Sequence, residues 1–519
     1  MKKIYLRIVH FTGIALVVLF MVILTGSATN RYTGTNTKSD LLPKALVADL
    51  EEYVVELMNQ LDVPGVSMVL VQGDKIVFNH AYGVRDLETK EPVTPQTLFG
   101  IGSTTKSMTA VMIASLVDDG VIRWDTPLTD ILPGFALSDP QVTAKMTVRH
   151  TLCMCSSVPD HKEAILVNYS TMTAEDVIEM LADVPLSGSV ERTFNYSSPM
   201  VAAGGYLASL AAGGKYGQLE QGYNNLMQER IFGPLEMTSS TFSIAEAVAS
   251  GNYATPHYSA LDGMKPIAPE VEGIFSPIAP AGALWSNTDD LQNYLIMLLK
   301  DGVAPNGQQV ISPKNLAYIW KPQVDIDGNM SYGLGWDVED YQGLTVIHHP
   351  GGTAGFASEL VVIPDMQIGF ALLSNRMDFN RPLGRMATYR LLEMLTGSEQ
   401  VYDQQVRKMA QELDQQTQAL LQATRETVEP AEIAPFLGSY HNNELGEIRL
   451  VLHDDHTLWI DFGEYESPIR PLVSAENRYI FFESVFIGKT IAMEIRSDGV
   501  ATIKWSGSEG YYNFTADRQ

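Results

Sequence analysis

The hydrophobic pattern of the chain changes period several times, and each change predicts a change of structure. Leu46, Val47, Leu50, Val54, Leu57, Met58 and Leu61 recur at helical spacing and predict an amphipathic helix ending before Pro64-Gly65. Val66-Ser67-Met68-Val69-Leu70-Val71, the turn Gln72-Gly73-Asp74-Lys75 and Ile76-Val77-Phe78 read as a β-hairpin. Met108, Val111, Met112 and Leu116 then share a helical face. From about Gly120 to Gly335 the chain consists of short helices and loops punctuated by Gly and Pro, with few strands and no internal repeat. Strands return at Leu344-Thr345-Val346-Ile347-His348, Ser358-Glu359-Leu360-Val361-Val362-Ile363 and Gln367-Ile368-Gly369-Phe370-Ala371-Leu372-Leu373, followed by a helix around Leu383 to Leu395. Strands at both ends of a unit with a helical middle imply an α+β fold. Its antiparallel sheet is flanked by helices and completed by the two ends of the unit, with a helical lobe inserted between them. A cleft is expected between sheet and lobe.

Past this unit the rhythm changes again. Residues from about Asp403 to Val428 are Gln/Glu-rich with helical spacing and stop at Glu429-Pro430, which predicts a linker helix. The period then becomes two. Ile448/Leu450/Leu452, Leu458/Ile460/Phe462, Tyr479/Phe481, Ile491/Met493/Ile495 and Ile503/Trp505 alternate between turn-rich stretches such as Ser497-Asp498-Gly499. That is the pattern of a small all-β, barrel-like module. The expected boundaries are a main α+β unit over 43–397, a helical linker over 398–430 and a β module over 431–519.

The N-terminus adds a targeting segment. Lys2, Lys3 and Arg7 precede an apolar run from Ile14 to Leu24 and the small residues Thr25-Gly26-Ser27-Ala28, the layout of an export signal. The apolar run is shorter than the ~20 residues of a spanning helix, so cleavage after Ala28 is preferred to an uncleaved anchor over 1–28. Polar, aperiodic residues over 29–42 form a spacer. The expected location is therefore extracytoplasmic, periplasmic or secreted, with membrane contact only through the N-terminal segment if it stays uncleaved.

Composition narrows the function classes. The chain has 519 residues, 45% hydrophobic and 18% charged, enough for well-packed cores and more than one folded unit. Its net charge of −26 argues against nucleic acid and anionic membrane surfaces as partners. Cys153 and Cys155 are the only cysteines and have no His pair at metal-binding spacing beside them. They read as buried free thiols, no metal is expected, and no long loop can be closed by a disulfide. Nothing calls for a cofactor, and the oligomeric state is left open.

Three separated stretches carry candidate chemistry. In Phe99-Gly100-Ile101-Gly102-Ser103-Thr104-Thr105-Lys106, Ser103 opens a helix and Lys106 follows one turn later on the same side. A serine hydroxyl needs a neighbouring base to act as a nucleophile, and an amine three residues on can supply one. The helix start also favours an oxyanion beside Ser103. Phe194-Asn195-Tyr196-Ser197-Ser198 precedes an apolar helical run, and Ile347-His348-His349-Pro350-Gly351-Gly352 ends a strand. Each stretch alone has a plainer reading. Ser103 can be a helix cap and Tyr196 a half-buried aromatic. The sequon Asn195-Tyr196-Ser197 is discounted as chance overlap, and the adjacent His348 and His349 face opposite sides of a strand, which disfavours a metal pair.

Together, Ser103-x-x-Lys106, Tyr196-x-Ser198 and His349-x-Gly351 in this order resemble the serine β-lactamase and penicillin-binding-protein superfamily, in particular the class C β-lactamase-like serine hydrolases. Pro280-Ala281-Gly282-Ala283-Leu284-Trp285-Ser286 and Tyr332-Gly333-Leu334-Gly335-Trp336 resemble the same family. The resemblance spans about residues 43 to 397. It implies Ser103 as the acyl-accepting nucleophile, Lys106 and Tyr196 as the pair that takes and returns its proton, and Ser198 and His349 as substrate-binding residues. The backbone N–H groups of Ser103 and Gly352 would form the oxyanion hole, with Gly351 and Gly352 permitting close approach of the strand. His349 stands where penicillin-recognising members have Lys, Ser198 where an Asn is common, and Pro350 where a Thr or Ser is usual. Leu152-Cys153-Met154-Cys155-Ser156-Ser157-Val158 replaces a His-Thr-Ser-Gly-like loop. These departures point to an esterase, or a peptidase acting on short peptides including those of D-amino acids, more than to an efficient β-lactamase. The expected partner is a small-molecule or short-peptide substrate. The alternative is a non-catalytic or slowly acylating penicillin-binding relative that binds cell-wall peptides as a sensor or scaffold. The final β module resembles the lipocalin-like domain appended to some of these hydrolases.

Overall fold

The computed structural model describes residues 41–516 apart from 162, 261–262, 378–381, 464, 474, 483–485, 487 and 508–510. The predicted signal or anchor over 1–28 and most of the spacer over 29–42 lie outside the described residues. Among the described residues no helix is long and apolar enough to cross a membrane.

The first hairpin, Gly65–Gln72 and Lys75–Gly83, does not stand alone. Val66 to Gln72 pair antiparallel with Ser374 to Ile368, so the two ends of the main unit meet in one sheet. The sheet has eight strands in the order Lys75–Gly83, Gly65–Gln72, Ile368–Ser374, Ala357–Ile363, Leu344–Gly352, Asp337–Tyr341, Met330–Tyr332 and Val324–Asp325. The last two are too short to show alternation in the sequence, and Asp337–Tyr341 is mostly polar.

The central strands are mostly apolar because both sheet faces are covered. Val66, Met68 and Leu70 face one layer together with Val361, Ile363, Phe370 and Leu372. There they meet Leu50, Val54 and Leu57 of helix Lys44–Gln60 and Leu383, Met386, Leu391 and Leu392 of helix Leu383–Thr396. Val69, Val71, Leu360, Val362, Ala371 and Leu373 face the other layer, which contains the helical lobe. A register slip of one residue would exchange the two sets, so burial on both faces fixes the pairing. Helix Thr105–Asp118 is the centre of the lobe side, and every residue from Thr105 to Leu116 is buried. Its lack of a polar face is the mark of an interior helix.

The final module is a closed eight-stranded barrel running from Gly438–Asn442 to Tyr511–Ala516. Alternation exposes five of its strands in the sequence. Glu466–Pro471, with two prolines, and the polar end strands Gly438–Asn442 and Tyr511–Ala516 are not visible there. Phe462, Phe481, Phe486 and Trp505 pack ring against ring within the barrel's core. That core continues into the lobe through Ala164, Leu166, Val167 and Ile274, so the barrel is docked on the main unit. Helix Tyr402–Gln422 leads to it, and the chain beyond is tied down by Arg425 N–H to the Pro471 carbonyl at 3.0 Å and Val428 N–H to the His456 carbonyl at 3.0 Å.

Cys153 and Cys155 are joined by a disulfide, which corrects the reading of them as free thiols. A one-residue loop can close because Met154 takes a left-handed conformation with φ of 52°, leaving the two Cα atoms 5.1 Å apart.

Candidate active site

The turn Gly102–Thr104 leads directly into the buried helix Thr105–Asp118 and holds Ser103 at the lobe–sheet boundary. Lys106, fully buried, places its Nζ 2.8 Å from Ser103 Oγ and donates to the Ala281 carbonyl at 2.7 Å. Tyr196 reaches the same oxygen from across the cleft, its OH 2.8 Å from Ser103 Oγ. The Lys106 nitrogen lies 4.8 Å from the centre of the Tyr196 ring. Two side chains, one 3 and the other 93 residues along the chain, thus meet at one hydroxyl, an arrangement a simple helix cap does not need. Ser103 makes no capping bond here, so the plainer reading of this position is not what the fold uses.

The loop carrying Tyr196 is set by the disulfide-bridged turn. Asn195 N–H donates to the Met154 carbonyl at 2.8 Å, and Ser197 N–H meets Met154 Sδ at 3.1 Å. Ser197 caps helix Ser198–Ala211, and Ser198 N–H donates to Asp160 Oδ1 at 2.8 Å. Burial pushes the Tyr196 phenol well above its ordinary range, and the negative charges of Asp160 and Asp337 push the same way, against the hydrogen bond to Ser103. Tyr196 rests as a phenol at neutral pH.

The strand Leu344–Gly352 supplies the third wall. Its end lies against the Gly102–Thr104 turn so closely that a Cβ on Gly351 would sit 2.0 Å from the Ile101 carbonyl oxygen. A Cβ on Gly102 would sit 2.6 Å from both Gly352 N and Gly352 O. Thr104 and Ser358 bind the two segments together. Their hydroxyls are 2.7 Å apart, Ser358 donates to the Ile101 carbonyl at 2.7 Å, and Thr104 donates to the His349 carbonyl at 3.2 Å.

His348 and His349 do face opposite sides. His348 points into a buried group with Arg385, Glu339 and Glu359 beneath helix Leu383–Thr396. His349 points toward the cleft, with its ring 6.5 Å from that of Tyr196. Its Nδ1 lies 2.6 Å from the Pro350 carbonyl oxygen and its Nε2 2.9 Å from Tyr332 OH. A carbonyl only accepts, so Nδ1 carries the proton and Nε2 accepts from the tyrosine. Burial first, then the charge of Lys106, push its pKa down to about 3, so the imidazole is neutral across the physiological range.

Sequence reasoning did not single out Thr104, Ser358, Asp160, Tyr332, Ala281 or Glu272. Tyr332 and Ala281 lie in the two family-like supporting segments, which was the available signal. The others act through contacts that only the fold creates. Glu272 is the clearest case, a buried carboxylate accepting from Thr353 Oγ1 and Gly355 N–H, each at 2.9 Å, in the turn just after Gly352. Burial pushes its pKa up to about 7 despite those bonds.

A carboxyl whose pKa is raised by folding holds its proton more tightly in the folded state. Its contribution to stability is complete below its ordinary value near 4.5 and is lost as pH rises through about 7. Glu272→Gln removes this titration. The variant should therefore gain stability relative to the parent between pH 4.5 and 8, by roughly 3 kcal/mol. Urea unfolding at the two pH values measures the gain, and a constant difference between them would contradict it.

The beta-lactamase family profile matches residues 50–394. The chain is 28% identical over 409 residues to the unguisins hydrolase of Aspergillus campestris, covering 75% of this chain and 72% of that protein. It is 27% identical over 340 residues to penicillin-binding protein 4 of Amycolatopsis lactamdurans, covering 63% of this chain and 85% of that one. Its fold is similar to that of the octameric penicillin-binding protein homologue from Pyrococcus abyssi, with a TM-score of 0.59 and 21% identity over 90% of this chain and 99% of the other. With the serine, lysine and tyrosine gathered on one oxygen, and with this match over most of its length, the chain belongs to the beta-lactamase family of serine hydrolases.

Proposed function

We propose that the protein cleaves ester or amide bonds of small molecules or short peptides through an acyl-enzyme on Ser103, and that it is a poor β-lactamase. The observation that carries the reading is the convergence of Lys106 Nζ and Tyr196 OH on Ser103 Oγ, each at 2.8 Å. In its neutral form the Lys106 amine accepts the serine proton as Oγ attacks the carbonyl carbon. The carbonyl oxygen then takes on negative charge beside the backbone N–H groups of Ser103 and Gly352. Tyr196, resting as a phenol, gives its proton to the departing nitrogen or oxygen and is reprotonated from Lys106. Water then attacks the acyl carbon and the proton movements run in reverse.

The case against efficient β-lactam hydrolysis rests on the strand. Both nitrogens of His349 are engaged within the protein, and Pro350 offers neither hydroxyl nor N–H. His349 therefore cannot play the part of a cationic lysine toward a penicillin carboxylate. The name of the Aspergillus relative, a hydrolase, fits this reading. Export is part of the same proposal. It is supported by the N-terminal sequence pattern and by the Cys153–Cys155 disulfide, a bond that persists in oxidising compartments.

Turnover of p-nitrophenyl esters, D-aminoacyl p-nitroanilides and nitrocefin, followed with intact-mass detection of the Ser103 adduct, tests the reading. Ester or anilide turnover well above nitrocefin turnover is expected. A stable penicillin adduct with no turnover of any substrate would instead support the sensor reading. Tyr196→Phe separates the proton donor from the base. It should lower kcat/KM on the anilide by roughly 10²–10⁴-fold and on the p-nitrophenyl ester far less, because p-nitrophenolate leaves without a proton. Equal losses on both substrates would remove Tyr196 from that role.

A further inference from the structure

The barrel closes between its first and last strands. Among the described residues, Gly438–Asn442 pairs with Tyr511–Ala516 at Tyr440↔Ala516 and His441↔Thr515. On its other side Tyr511–Ala516 is paired from Thr515 to Tyr511. The first strand ends at Asn442, which pairs across its hairpin with Gly446. The Asn442 side chain spans the gap, donating from Nδ2 to the Asn513 carbonyl at 2.9 Å while its Oδ1 accepts from the Glu444 and Leu445 N–H groups, each at 2.9 Å. In a strand, one residue's N–H and C=O point to the same side, and the side alternates along the chain. The Asn513 carbonyl faces the seam, so the Asn513 N–H and the backbone of Tyr511 face it as well. Among the described residues no neighbouring strand pairs with them there.

The open seam is the floor of a polar groove of about 520 Å³ whose walls include His441, Asn443, Glu444, Tyr511 and Tyr512. Glu444 is 60% exposed, and its Oε2 is 3.7 Å from His161 Nε2. The Tyr512 ring is 6.3 Å from the His161 ring. His161 adjoins Asp160, which holds the first residue of the helix following Tyr196. The groove therefore opens beside the lobe segment that borders the Ser103 cleft.

We propose that this seam is a docking edge for an extended peptide, which adds as a short strand along Tyr511–Asn513 and sets an amino or basic group against Glu444. A row of unpaired backbone groups is a template for strand addition. The carboxylate at its end, on a chain with net charge −26, selects for positive charge. If Ser103 cleaves peptides, as proposed above, the docked strand is the remote part of such a substrate. That last clause alone depends on the hydrolase reading.

The test uses the full chain carrying Ser103→Ala and a dansyl-labelled Lys-Thr-Val-Thr-Val amide, with binding read by fluorescence anisotropy. The same peptide N-methylated at the alternate residues whose N–H groups would face the seam loses those donors and meets the strand with a methyl group in their place, and should bind at least about tenfold more weakly. Glu444→Gln should weaken the lysine peptide severalfold and leave an acetyl-Ala version unchanged. Asn513→Pro, which removes one seam-facing N–H, should act like the N-methylated peptide. Equal binding of the methylated and unmethylated peptides overturns the proposal, and so does the absence of binding at millimolar peptide. Loss of binding when Ser103 of the parent chain is blocked by a fluorophosphonate also overturns it, by placing the peptide in the cleft. Failure of the fluorophosphonate to label Ser103, with seam binding intact, counts against the hydrolase reading alone.

Discussion

Ser103→Ala should bring hydrolysis of every ester and amide substrate to background, a loss of at least about 10⁴-fold in kcat, while leaving the fold intact. The hydroxyl is the single atom at which Lys106 and Tyr196 meet, so its removal leaves a base with no proton to take and a donor with no acyl group to serve. Little else depends on it. Lys106 keeps its bond to the Ala281 carbonyl, and the buried helix behind Ser103 is held by apolar packing from Met108 to Leu116. The expected change in unfolding free energy is below about 1 kcal/mol. Parallel measurements of kcat, fluorophosphonate labelling and thermal unfolding decide the matter. Turnover at a parental rate would place the nucleophile elsewhere, and collapse of the fold would show that the hydroxyl has a structural role not visible in its contacts.

The sequence made the main unit legible wherever burial is one-sided or long. The helix from Lys44, the hairpin from Gly65 and the strands leading to Gly352 and Ser374 all carry periodic apolar residues that a packed layer requires. Ser103, Lys106 and Tyr196 were legible as a candidate set for a different reason, because the chemistry proposed for them restricts residue type and order. What the sequence hid was short or cross-chain. Val324–Asp325 and Met330–Tyr332 are too brief to show a period. The thiols of Cys153 and Cys155 could be paired only once Met154 was seen in a left-handed turn. Thr104 and Ser358 are ordinary polar residues until the sheet brings them within 2.7 Å of each other. Glu272 and Asp160 became relevant in the same way, through backbone donors supplied by distant segments.

These tertiary contacts share a purpose that the motif residues do not reveal. Asp160 and the Met154 turn fix the tyrosine segment, whereas Thr104, Ser358 and Glu272 fix the glycine strand relative to the Ser103 turn. The barrel touches both sets, at His161 and at Ala354. Preorganised donors act only when held where the negative charge develops, so the supporting contacts matter as much as the reacting atoms.

The most demanding of those contacts is backbone against backbone, and Gly102→Ala should show it. Gly102 has φ of 52°, and its added methyl would lie 2.6 Å from the nitrogen and the oxygen of Gly352. Neither atom belongs to a flexible side chain, so the turn or the strand must move by several tenths of an ångström. The left-handed conformation adds a steric cost of about 1 kcal/mol for a residue with a Cβ. The movement is largest where the Ser103 and Gly352 N–H groups must converge on one oxygen. Loss of that alignment should lower kcat by roughly 10²–10³-fold, with a smaller effect on KM. Gly73→Ala provides the comparison, since Gly73 has a similar φ of 61° but nothing within 4 Å of its would-be methyl. It should lose a similar increment of stability and no activity. If both variants retain full activity, the glycine turn does not set the oxyanion site. If both lose it equally, the effect is one of general stability and not of the contact with Gly352.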